Sequence, residues 1–143
     1  MHWKNLETIS PTFPIGGLLT NSGKAQFAAL IQEAMDLRNA GSLLESLELL
    51  KYLVQRVPRQ KTVVGLLALV LQDLDRTEEA ARYFKLSTEL SPDSEISSLG
   101  LFHCLLSLGN PDEAFDEMRR FLANNESEEY LLLLKGLNGE SPR

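Results

Sequence analysis

Residues 78–92 read EEAARYFKLSTELSP, and this stretch decides the fold. Ala80, Phe84, Ser87 and Pro92 supply a small, an aromatic, a second small residue and a proline in that order. A shift of 34 residues in either direction finds a related pattern. Upstream, Glu45-Ser46, Leu50 and Pro58 stand where Glu79-Ala80, Phe84 and Pro92 stand, and downstream Glu113-Ala114, Met118 and Phe121 match Glu79-Ala80, Phe84 and Ser87. A fixed period of this length signals stacked helical hairpins, each too small to bury its apolar face alone.

Working outward from that stretch, the run VVGLLALVLQ lies within a helix expected over 61–74, apolar almost all round and so flanked by other helices. Thr77 is expected to cap the helix that follows, with Glu78 and Glu79 in its first turn and Ser91-Pro92-Asp93 closing it. Upstream, Phe27, Leu30, Ile31, Ala34 and Leu37 recur at helical spacing, so a helix is expected from about Lys24 to Ala40, ended by Gly41. Ser42 and Glu45 have the spacing of a reciprocal capping box for the next helix, which buries Leu43, Ser46, Leu47, Leu50 and Leu53 and stops at Pro58. Downstream, a helix over 95–108 turns at Gly109-Asn110 into another that opens at Pro111 and runs to about Ala123. A final helix over 128–137, capped by Ser127 and offering Leu131, Leu132, Leu134 and Leu137, is expected to cover the last face of the stack.

Residues 1–22 stand outside this period. Pro11, Pro14, Gly16-Gly17 and Asn21-Ser22-Gly23 break a helix, yet Trp3, Phe13, Ile15, Leu18 and Leu19 are too apolar for a solvated tail. The expectation is an extended arm that packs outside the first hairpin, or reaches into the protein's own groove or that of a neighbouring copy. The organisation is thus an arm over 1–22, a helical domain over 23–138 and a tail over 139–143.

With 143 residues, 43% of them hydrophobic, the chain buries a core of its own. A net charge of −6 argues against nucleic-acid or anionic-membrane partners, which need a basic surface, and favours a basic or neutral protein partner. One cysteine, Cys104, forms no internal disulfide or thiolate metal site. No membrane span and no secretory signal is recognisable, so a soluble, unprocessed, cytoplasmic protein is expected.

The residues over 27–128 resemble three tetratricopeptide repeats, at 27–60, 61–94 and 95–128, covering roughly seven tenths of the chain. The family's first-helix pattern becomes Leu30, Glu33-Ala34 and Leu37, then Val64, Leu67-Ala68 and Leu71, then Ser98, Leu101-Phe102 and Leu105. Its glycine position is never glycine. Alanine at 34 and 68 still allows close packing, whereas Phe102 is large. The resemblance implies an all-α fold, a right-handed superhelical stack of three helix-turn-helix hairpins with a C-terminal capping helix and the N-terminal arm. It also implies a concave, peptide-binding groove lined by the first helix of each hairpin. Ala28, Ile31, Gln32, Met35 and Arg38, then Thr62, Gly65, Leu66, Leu69 and Gln72, then Ile96, Leu99, Gly100, His103 and Leu106 take the groove positions. Since only Arg38 among these is cationic, a carboxylate clamp for acidic chaperone C-termini is rejected. Gly65 and Gly100 either let a partner backbone come close or relieve crowding between helices.

No catalytic constellation emerges. His103 and Cys104 are adjacent on a helix and so point about 100° apart, unsuited to act as base and nucleophile, and Cys104 reads as a small buried residue. Gly16-Gly17 lacks the lysine and hydroxyl residue of a phosphate loop. Asp112-Glu113, Asp116-Glu117 and Glu128-Glu129 read as solvated helix starts without calcium-loop spacing. No enzyme activity, cofactor or metal is expected. The expected function is a protein–protein interaction module, an adaptor or a chaperone resembling the small tetratricopeptide chaperones of bacterial type III secretion. It would bind a partner segment in an apolar trough of Ile31, Met35, Leu66, Leu69, Ile96 and Leu99. The alternatives are an immunity or antitoxin protein covering a toxin domain, and a self-associating subunit that dimerises through its arm.

Overall fold

The computed structural model describes residues 21–137, with side chains over 23–136, as seven helices in chain order: α1 (Asn21–Asn39), α2 (Leu43–Arg56), α3 (Lys61–Asp73), α4 (Thr77–Leu90), α5 (Glu95–Ser107), α6 (Pro111–Leu122) and α7 (Glu128–Leu137). The expected arm over 1–22 lies outside the described residues except for Asn21 and Ser22, whose backbone belongs to α1, and residues 138–143 and the side chain of Leu137 lie outside them as well. Consecutive helices from α1 to α6 pack against one another, and α1, α3 and α5 form a second, looser set of contacts. This is a stack of antiparallel pairs.

The periodic residues build the core. Ser46, Ala80 and Ala114 are fully buried, as are Leu50 and Phe84, while Met118 is nearly so; Leu53, Ser87 and Phe121 complete the same faces one turn on. Between the two helices of each pair the chain makes one identical turn. Gly41, Asp75 and Gly109 all have positive φ, at 81°, 58° and 78°. In each turn the following amide, that of Ser42, Arg76 or Asn110, donates to the carbonyl of Leu37, Leu71 or Leu105 at 2.8–2.9 Å. This bond satisfies a carbonyl left over at a helix end, and the left-handed residue makes it possible. The middle turn achieves with aspartate what the outer two achieve with glycine.

Several local expectations change. α1 begins at Asn21 instead of about Lys24, because Asn and Ser suit a helix start and one glycine in the first turn costs little. Ser42 makes no side-chain cap bond, so its half of the expected capping box does not form. Thr77 is the first residue of α4 and Arg76 precedes it as the cap, its guanidinium reaching Glu79 at 2.8 Å. Ser127 does cap α7, accepting from the Tyr130 amide at 3.2 Å.

Two larger corrections concern α7 and α6. Leu131 and Leu132 are about half exposed, at 52% and 51%, whereas Leu134 packs against the core as expected, together with Tyr130 and Leu133. Glu117 is not a solvated helix-start residue. It is buried, with its carboxylate 2.6 Å from the Ser98 hydroxyl and 2.7 Å from the Arg120 guanidinium. Tyr130 OH sits 2.8 Å from the same Ser98 oxygen. An ionised Glu117 only accepts, so Ser98 donates to it and Tyr130 donates to Ser98. Burial pushes the Tyr130 phenol up to about 12, reinforced by the Glu117 charge. Phe102 fits beside this network, its ring edge-on to Tyr130 at 5.4 Å and to Phe115 at 5.6 Å. Gly100 makes a different close approach, between the second and third pairs, since a Cβ there would lie 2.4 Å from two atoms of the Phe84 ring on α4.

Candidate functional site

A cleft of about 260 Å³ opens where the N-terminal halves of α3 and α5 diverge over α4. α3 contributes Lys61, Thr62, Gly65 and Leu69, and α5 contributes Ile96 and Ser97. Gly65 stays open because its position faces only the Ser87 hydroxyl, 3.6 Å from where a Cβ would be, and Ile96 is 64% exposed at the mouth. The structure therefore brings together Thr62, Gly65, Leu69 and Ile96 from the residues that the repeat pattern assigned to the groove.

The floor differs from the expected trough. Ser87 and Ser97 hydroxyls lie 2.6 Å apart, and Ser94 donates to Ser97 at 3.1 Å while accepting the Ser97 amide at 3.3 Å as the cap of α5. Hydroxyls that satisfy one another at the base of an apolar mouth give a surface able to meet both side chains and backbone of a partner. The serines at 87, 91, 94 and 97 were visible in sequence, but their convergence depends on how α4 turns into α5.

The remaining groove positions fall outside this cleft. Ile31, Leu66 and Leu99 are half-buried against the core, and Gln72 is half-buried. Met35 and Leu106 are each 38% exposed. His103 is exposed and sets its ring against Phe102, with centroids 5.4 Å apart. Arg38 is bound to Asp73 at 2.7 Å, an ion pair joining α1 to the end of α3 that neutralises the one cation among those positions. Gly100 does not line the groove, since it is buried against Phe84 and relieves crowding there. Cys104 is buried, which raises its thiol above the ordinary range and suits a packing residue. Among the described residues no three His, Cys, Asp or Glu side chains gather to hold a metal ion, and no helix is long and apolar enough to cross a membrane.

Antiparallel pairs at a constant period, joined by one repeated turn and bearing a cleft between their first helices, define a helical-repeat protein. A family model described as a tetratrico peptide repeat matches residues 17–90, more than half of the chain, and the chain belongs to that family. Its fold is similar to that of a point mutant of MamA, with a TM-score of 0.63 at 18% identity over 70% of this chain and 73% of that one. It is also similar to the Yersinia enterocolitica type III secretion translocator chaperone SycD in an alternative dimer, with a TM-score of 0.61 at 15% identity over 78% and 86%. No curated protein matches the sequence.

Proposed function

We propose that the protein is a non-enzymatic, cytoplasmic interaction module, an adaptor or secretion-type chaperone that holds a segment of another protein against the faces of α1, α3 and α5. The observation that carries this reading is the cleft of Gly65, Leu69 and Ile96, an apolar mouth over a hydroxyl floor at a backbone without a side chain. Met35 and Leu106 extend the exposed apolar surface on neighbouring helices of the same row. With Arg38 engaged by Asp73, Lys61 is the cation at the cleft, so apolar anchors and backbone hydrogen bonds, with an acidic group beside Lys61, would select the partner. Each buried anchor would contribute roughly 25 cal/mol per Å² before the costs of association are subtracted. The likeness in fold to SycD supports the chaperone form of this reading, as does the family's repeat architecture.

A photoreactive side chain placed at position 96 in the native host tests the assignment, with position 44, exposed on α2 and away from the cleft, as its control. The expected outcome is one partner crosslinked from position 96 and not from position 44, and lost in a Gly65→Trp background that fills the cleft. Equal crosslinking from both positions would remove the cleft from the function.

A further inference from the structure

A second cleft, of about 440 Å³, lies on the opposite side of the stack, between α4 and α6 and floored by α5. Its origin is legible by comparing repeats. The preceding pair of second helices, α2 and α4, closes the equivalent space with Leu47 and Tyr83, and Leu67 and Leu71 beneath them are fully buried. One period on, Ala81 stands in place of Leu47, and Glu117 in place of Tyr83 is drawn inward to Ser98. The floor leucines Leu101 and Leu105 consequently remain 6% and 9% exposed.

The walls of this cleft differ in charge. Arg82 and Lys85 on α4 are exposed and have no ion-pair partner among the described residues, and Glu113 across from them on α6 is likewise unpaired. The other charged lining groups are engaged, Glu117 with Arg120 and Asp116 with Arg119. A fitting occupant has an aliphatic ridge, carboxylates on one side and a cation at its far end. α7 presents that pattern outward: Glu128 and Glu129 exposed in its first turn, the exposed pair Leu131 and Leu132, then exposed Lys135. Residues 128, 131, 132 and 135 share one helical face. With Tyr130 turned inward to Ser98, that face has no partner among the described residues.

We propose that α7 of one copy docks this outer face in the α4–α6 cleft of a second copy, with Leu131 and Leu132 on the Leu101 and Leu105 floor, Glu128 toward Arg82 and Lys85, and Lys135 toward Glu113. Such a contact joins two different surfaces, so the second copy still offers its own α7, which either returns to the first copy's cleft in a twofold pair or continues to a third copy in a ring or open chain. It uses a face of the stack remote from the Ile96 cleft and stands independently of the function proposed above.

Sedimentation of the full chain over a concentration series, with a cleft variant (Arg82→Glu with Lys85→Glu) and an α7 variant (Leu131→Asp with Leu132→Asp), tests it. All four positions are solvent-facing, so circular dichroism should report unchanged helicity. The expected result is that the parent chain self-associates with concentration and dissociates with added salt, that each variant alone is monomeric, and that their equimolar mixture forms a heterodimer and nothing larger. That complementation arises because one intact cleft and one intact α7 remain in the mixture. A parent chain that stays monomeric into the millimolar range, a variant that associates like the parent, or a mixture that stays monomeric would overturn the proposal.

Discussion

Replacing glycine by alanine inside a helix normally raises stability by about 0.8–1 kcal/mol, through lower backbone entropy in the unfolded chain. The two interior glycines of α3 and α5 should split on this rule. At Gly65 an added methyl meets only the Ser87 hydroxyl, at an ordinary 3.6 Å, so Gly65→Ala should stabilise by the usual amount of about 0.5–1 kcal/mol. At Gly100 the methyl would overlap three atoms of the Phe84 ring, which is fully buried on α4 and has no solvent to retreat into. Overpacking of this kind costs about 1–3 kcal/mol, and a fully buried large apolar side chain such as Phe84 itself contributes about 1.5–3 kcal/mol, so the clash exceeds the backbone gain. A net loss of roughly 1–2 kcal/mol is expected for Gly100→Ala. With a urea slope of about 2 kcal/mol per M, the midpoint should fall by roughly 0.5–1 M, while that of Gly65→Ala rises by a few tenths. Unfolding curves followed by circular dichroism measure both in one series. Equal upward shifts in the two variants would refute the assignment of Gly100 as the residue that admits Phe84.

Other expectations follow from the turns and the buried network. Asp75→Gly, which relieves a left-handed non-glycine residue, should raise the unfolding midpoint by an amount equivalent to about 0.5–1 kcal/mol, and an unchanged midpoint would show that aspartate fits the turn without strain. Ser98→Val removes the hydroxyl shared by Glu117 and Tyr130 and should cost about 1–3 kcal/mol, read from the same urea curves. The phenol of Tyr130 has a folded-state value of about 12, above its ordinary 10, so the neutral form favours folding. Its contribution to stability is complete below about pH 10 and is lost as pH rises toward 12, and Tyr130→Phe should remove that decline from unfolding free energies measured across the alkaline range.

Much of the stack was legible because its determinants are local. The 34-residue recurrence of small and large apolar residues set the number and order of helices, and Gly41, Gly109 and Pro111 marked their ends. Helix caps were less legible. Ser42 and Thr77 have the right chemistry, yet the repeated left-handed turn fixes the backbone entering α2 and α4 without needing their hydroxyls. The groove positions came from the resemblance to the repeat family, and the cleft unites Thr62, Gly65, Leu69 and Ile96 among them.

What the sequence by itself determined is the repeat: helical phase, turn positions and the buried stripe of each second helix follow from spacing along the chain, which needs no knowledge of neighbours. The tertiary structure alone decided what each stripe meets. Gly100 in the groove row proved to be a seat for Phe84, and Glu117 at an apparently solvated helix start proved to be tied to Ser98 and Tyr130. That same tie rotates α7 so that Leu131 and Leu132 face outward. Each of these outcomes joins residues 16 to 32 positions apart across separate helices, where steric fit and hydrogen-bond satisfaction between elements, not periodicity within one, select the arrangement.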